Sequence, residues 1–168
     1  HVMNVIDEES GLLSNSVKDI VCDTEGNYYI GTTEGISLVS LNGGVKITKN
    51  YEQIKNVLKM SADKFGNVVA VTERGELFCF KNGEICCSFL KGEEKISFQS
   101  VAFSEDGRLF LASPDDSIFI YSLTPSGPKL VRKFKIPGIE GINSFYFADN
   151  NGVFVCSDTG IALFDESF

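Results

Sequence analysis

The sequence predicts an all-β fold, a β-propeller of four-stranded antiparallel blades with four blades in the chain. Three observations predict it: apolar runs of strand length separated by turn signals, a repeat of that unit every 40 to 44 residues, and no stretch of helical period. Thr32, Thr72, Ser113 and Ser157 each open a short turn between two apolar runs, and they follow one another at intervals of 40, 41 and 44 residues. The flanking runs are "YYIG" and "ISLV", "VVAV" and "ELFCF", "LFLA" and "SIFIY", and "VFVC" and "IALF". A two-sheet sandwich would hold such strands but gives no reason for the period.

Each unit carries a second turn upstream, "DTEG" at Asp23, "DKFG" at Asp63, "SEDG" at Ser104 and "DNNG" at Asp149. Asp, Asn or Ser opening a turn can bond its own backbone two residues on, and Gly accepts a positive φ. Before these turns lie Val17–Cys22, Val57–Ala62, Val101–Phe103 and Phe145–Ala148, which read as first strands; a fourth run follows at Val45–Tyr51, Ile85–Leu90 and Leu130–Ile136. The first two strands of each unit are nearly continuous in apolar character, as expected where both blade faces pack. The fourth alternates charge with apolar residues, as at a rim.

The expected organisation is one domain, 2–168, with blades at about 11–51, 52–90, 96–136 and 139–168. The last unit lacks a fourth strand, and residues 2–7 precede the first. The expectation is that this segment supplies the missing outer strand, in the same molecule or a second copy, and so covers a bare sheet edge. Alternatively, further blades of a longer chain follow. His1-Val2-Met3, with its methionine in third place, reads as residues preceding a fragment, so His1 carries no functional argument.

The 168 residues carry a net charge of −8 and are 43% hydrophobic. That balance fits a folded domain and excludes nucleic acid and direct membrane contact as expectations, since both need a basic patch. Lys129–Lys135, the strongest basic run, reads as the wet side of a strand. Five cysteines make no disulfide framework, and no Cys-x-x-Cys occurs, so neither metal nor cofactor is expected. If Asn82-Gly83 forms a two-residue hairpin turn, counting outward pairs Lys81 with Glu84, Phe80 with Ile85 and Cys79 with Cys86. Two buried free thiols are the preferred reading of that pair.

Gly11, Leu12, Ser14, Asn15, Val17, Asp23, Gly26, Tyr29, Ile30, Gly31, Thr32, Gly35 and Ile36 together resemble the two-component regulator propeller repeat. The later units keep the turns but replace Ile-Gly-Thr with "VVAVT", "LFLAS" and "VFVCS", and the chain has no Trp, the family's usual residue at Tyr29. The resemblance implies a sensing module from the extracytoplasmic part, periplasmic or cell-surface, of a membrane-anchored bacterial signalling protein such as a hybrid histidine kinase or a diguanylate cyclase. It also implies a carbohydrate or other small extracellular ligand, while the phase of the repeat leaves a homodimer or further blades as protein partners.

Catalysis finds little support. With His1 set aside no nucleophile–base set can be built, and no Gly-rich phosphate loop follows a strand. Asp7-Glu8-Glu9, Glu93-Glu94 and Asp115-Asp116 read as solvated acidic turns rather than catalytic dyads. The expected function is therefore a non-catalytic sensor or interaction module, the alternative being part of a propeller lyase or hydrolase. Candidate ligand residues are those on the loops between second and third strands: Glu34, Arg74, Asp115, Asp116 and Asp158, with Glu73 beside them. Their mostly acidic charge would suit a cation or a polyhydroxylated ligand, or serve solubility alone.

Overall fold

The computed structural model describes residues 5–89, 97–148 and 152–165. Among the described residues, fifteen strands build four antiparallel sheets in chain order. Blade 1 is β1 (Val17–Cys22), β2 (Asn27–Thr32), β3 (Ile36–Ser40) and β4 (Lys46–Tyr51), and blade 2 is β5 (Val57–Ala62), β6 (Asn67–Thr72), β7 (Leu77–Lys81) and β8 (Glu84–Phe89). Blade 3 is β9 (Ser100–Phe103), β10 (Arg108–Ala112), β11 (Ile118–Thr124) and β12 (Gly127–Phe134). Blade 4 has three described strands, β13 (Ile142–Phe147), β14 (Gly152–Ser157) and β15 (Gly160–Asp165). First strands pack on first strands, β1 on β5, β5 on β9 and β9 on β13, which makes them the inner edge of an arc.

The turns form for the reasons the sequence suggests. Asp23 accepts from the backbone N–H of Glu25 and Asn27, both at 2.9 Å, and Asp63 repeats this with Phe65 and Asn67 at 2.9 and 2.8 Å. Gly26 and Gly66 both hold φ of 80°. These aspartates are buried, and every bond they accept lowers the cost of a carboxylate away from water.

The core lies in three seams between blades, built from a repeating pair of rows. Each blade presents a front row to its successor: Tyr29, Gly31, Ile36 and Leu38 in blade 1, Val69, Val71, Leu77 and Cys79 in blade 2, and Phe110, Ala112, Ile118 and Ile120 in blade 3. Each successor meets it with a back row: Val68, Ala70, Phe78 and Phe80, then Leu109, Leu111, Phe119 and Tyr121, then Val153, Val155, Ala162 and Phe164. Ile54, Phe98 and Ile139, from the loops entering blades 2 to 4, close these seams. Continuous burial thus belongs to the second and third strands of blades 1 to 3. The expectation of two-sided burial for the first strands fails at β1, where Val17 and Ile20 are exposed because no described blade precedes it, and at β13, where Asn143, Ser144 and Tyr146 are exposed.

Residues 5–7, the described part of the expected outer strand, also depart from expectation. Val2–Asn4 lie outside the described residues, while Val5 and Ile6 form no strand. Asp7 instead starts a turn, its carboxylate accepting from the Ser10 N–H at 2.9 Å and hydroxyl at 2.8 Å. Ile6 and Leu12 then pack on Ile30 and Val39, the back row of blade 1. Among the described residues β15 has no outer neighbour.

The Asn82-Gly83 turn is present, with φ of 50° and 71°, and the pairs Lys81–Glu84 and Phe80–Ile85 stand as counted. A bulge then shifts the register, so Cys79 faces Cys87 and not Cys86. All five cysteines are free thiols.

Candidate functional site

The loops joining second to third strands and those entering each blade share one face of the arc. Thr33 N–H donates to Ser16 O at 3.3 Å, Glu73 N–H to Asn56 O at 2.8 Å and Asp158 N–H to Glu140 O at 3.1 Å. The repeated hydroxyl ties each turn. Buried Thr32 donates to Gly35 O at 2.9 Å and accepts from the Glu34 and Gly35 N–H groups, both at 3.1 Å; Ser157 repeats the donation to Gly160 O at 3.0 Å. Blades 2 and 3 have longer turns, closing at Glu76 and Ser117. These need a left-handed residue, supplied by Gly75 (φ 73°) and Asp116 (φ 62°).

This face gathers the expected ligand residues, but most have structural partners. Glu34 pairs with Lys55 at 2.8 Å. Asp115 accepts from Ser113, Ser117 and Lys135, bonds that hold its carboxyl well below the usual carboxylate range. Asp116 staples blade 3 to blade 4, accepting from the Gly141 N–H at 2.8 Å and the Ile142 N–H at 3.3 Å. Asp158 accepts from Asn143 Nδ2 at 2.9 Å. Arg74 is exposed and makes no hydrogen bond or ion pair among the described residues. Of the acidic clusters, Glu93-Glu94 lies outside the described residues, and Glu8 is held by a reciprocal clamp with Asn15, backbone N–H to side-chain oxygen each way at 2.9 and 2.8 Å.

Sequence reasoning missed a cleft between blades 2 and 3, at the opposite end of the strands. It has a volume of about 490 Å³, within the range of small-molecule sites. Asp63, Lys81, Asp106, Cys79, Cys86 and Cys87 line it together with Phe65, Leu123 and Pro128. Lys81 is anchored there, donating to Phe65 O at 2.5 Å and Asn67 Oδ1 at 3.2 Å. The only sequence signal was the closeness of three cysteines to the Asn82-Gly83 turn.

Blade 1 has the most specific local geometry. Ser14 accepts from the Ser16 N–H at 3.1 Å and from the Thr33 hydroxyl at 3.2 Å, fixing the entry to β1 against the β2–β3 turn. At Gly31 a β-carbon would stand 2.6 Å from Val57 Cγ1 and 2.8 Å from Met60 Sδ, so a bare backbone lets blade 2 approach. Residues 11–34, which contain this geometry, match the family model described as two component regulator propeller. This stretch is similar to one two component regulator propeller repeat.

That repeat sits in an arc similar to many solved propellers. The β-propeller domain of Cps50 (Swd1) from Myceliophteria thermophila aligns with a TM-score of 0.74 and 16% identity, covering 90% of this chain and 54% of that one. Virginiamycin B lyase from Staphylococcus aureus aligns at 0.62 and 17%, covering 90% and 56%. The extracellular domain of BT3049 from B. thetaiotaomicron, assigned as a hybrid two component system, aligns at 0.69 and 24%, covering 93% and 22%. The chain therefore spans about half the length of the first two and less of the third. These likenesses establish the propeller fold. No curated protein sequence matches the chain.

Proposed function

We propose that this chain is a non-catalytic sensing array from the extracytoplasmic part, periplasmic or cell-surface, of a membrane-anchored bacterial signalling protein. The two component regulator propeller repeat at 11–34 carries this reading, because its residues form an intact blade entry and inner hairpin. The likeness to an extracellular domain of a hybrid two component system supports it.

Ligand binding is placed on the loop face, with a carbohydrate or other small polar molecule as ligand. Arg74 makes no hydrogen bond or ion pair among the described residues, and the Glu34–Lys55 pair on the same face is exposed on both sides, so exchanging it for ligand bonds costs little. Asp115 and Asp116 hold the turns and stay with them.

The experiment is a thermal-shift screen of the chain and its Arg74→Ala variant against oligosaccharides, with product analysis of each mixture. Stabilisation that needs Arg74 and yields no product supports the proposal. Turnover would place the chain with propeller enzymes, and a panel without any shift would remove carbohydrate as the ligand.

A further inference from the structure

Each complete blade has a bulge where its third and fourth strands pair, and the extra residues are Thr48, Cys86 and Val131. The bulge is part of the blade plan, so what it presents depends on side chains alone. In blade 1 the facing pair beside it is Leu38–Lys49, and in blade 3 it is Ile120–Arg132. In blade 2 it is Cys79–Cys87, with Cys86 as the extra residue, and all three residues line the 490 Å³ cleft.

We propose that Cys79, Cys86 and Cys87 form a thiol-modification site, at which Cys87 captures a low-molecular-weight disulfide and then closes a cross-strand disulfide with Cys79. The geometry permits both steps. Cys87 is half-buried at the cleft with the exposed Cys86 next to it, whereas its facing partner Cys79 is 1% exposed. Directly facing antiparallel residues have Cα atoms about 4.5 to 5.5 Å apart, inside the disulfide range. Hydrogen bonds from Cys79 and then Cys86 favour the Cys87 thiolate, while donation to Cys87 and burial push Cys79 up. The nucleophile is thus the accessible member and the resolving thiol the buried one.

In the first step the Cys87 thiolate attacks one sulfur of the small disulfide, whose S–S bond breaks to release one thiolate and leave a mixed disulfide on Cys87. In the second, Cys79 loses its proton and attacks the Cys87 sulfur, expelling the other thiolate. The protein loses two protons and two electrons, and the small disulfide is reduced to two thiols. Cys22 and Cys156 lie on other blades and take no part.

The test treats the full chain with oxidised glutathione and maps thiols by mass spectrometry after trypsin, which cuts after Lys81 and so separates Cys79 from Cys86 and Cys87. The expected result is a loss of two of the five thiols, with the Cys79 peptide linked to the Cys87 peptide. Cys79→Ser should trap a glutathione adduct on Cys87, and Cys87→Ser should give neither adduct nor link. Cys86→Ser and the Cys22→Ser/Cys156→Ser double variant should behave as the parent. Five thiols surviving treatment, a link within Cys86–Cys87, or an adduct forming first on Cys22 would overturn the proposal.

Discussion

The Tyr51 hydroxyl donates to the carbonyl oxygen of Gly83 at 2.6 Å, joining the outer strand of blade 1 to the outer turn of blade 2. The Gly83 N–H donates to the Tyr29 hydroxyl at 3.1 Å, so one turn residue is held from both polar ends. Both rings also meet Phe80 edge-on, with centroids 5.4 Å (Tyr29) and 5.1 Å (Tyr51) away. Tyr29→Phe and Tyr51→Phe keep that packing and remove one bond each. Each should lower stability by about 1–2 kcal/mol in urea unfolding, because a sheltered backbone group loses its partner. The two effects should not add, since both act through Gly83.

Alkaline pH should weaken the fold through the same residues. Burial raises the pKa of Tyr29, Tyr51 and Tyr121 above the ordinary tyrosine value. Below that value, about 10, both folded and unfolded states keep the proton and the stabilisation is complete. Above it the unfolded chain ionises first, so stability falls as pH rises towards the folded-state values. Urea midpoints measured on either side of pH ~10 should show this loss, and Tyr51→Phe should make it shallower.

Gly31 should resist substitution although its φ is not left-handed. An added β-carbon meets Val57 and Met60 across the blade seam, inside van der Waals contact. Gly31→Ala is expected to cost about 1–3 kcal/mol and Gly31→Val more. Val57→Ala combined with Gly31→Ala should recover part of the loss in thermal unfolding, which a purely backbone effect would not allow.

Asp116 separates a structural role from a ligand role on the loop face. Asp116→Gly keeps the left-handed turn but removes the acceptor for the Gly141 and Ile142 N–H groups. The variant should lose about 1–3 kcal/mol while ligand-induced thermal shifts stay as in the parent. A lost shift with unchanged stability would return Asp116 to the ligand set.

The sequence showed what local chemistry decides. Hydroxyls at Thr32 and Ser157, carboxylates at Asp23 and Asp63, and Asn82-Gly83 each act within a few residues of themselves, and the structure has them as read. It hid what depends on pairing between strands. The bulge that moves Cys79 opposite Cys87 adds a residue without any turn signal, and the Asp116 staple acts on a residue 25 positions away. The loop-face carboxylates lie in the turns between second and third strands, and their partners, such as Lys55 for Glu34 and Lys135 for Asp115, come from other loops and strands.

The two ends of the arc lead to the last prediction. Phe154, Cys156, Ile161 and Leu163 occupy the front-row positions of blade 4, the places filled in blades 1 to 3 by residues that pack on the next blade. Here Ile161 and Leu163 are 69% and 62% exposed. At the other end Tyr28, Ile30, Ser37 and Val39 form the back row of blade 1, and Leu12 lies over it as Ile54 lies in the next seam. A front row and a back row of the same repeat complement each other. Two copies of the chain placed head to tail around a twofold axis would join both pairs of ends and close a ring of eight blades. Light scattering should therefore give about twice the 18.4 kDa chain mass. Ile161→Asp with Leu163→Asp puts two charges into each seam and should halve that mass without changing the β signal in circular dichroism. A parent chain that is monomeric at every concentration would assign these rows to further blades of a longer chain, and a dimer indifferent to both aspartates would place the contact elsewhere.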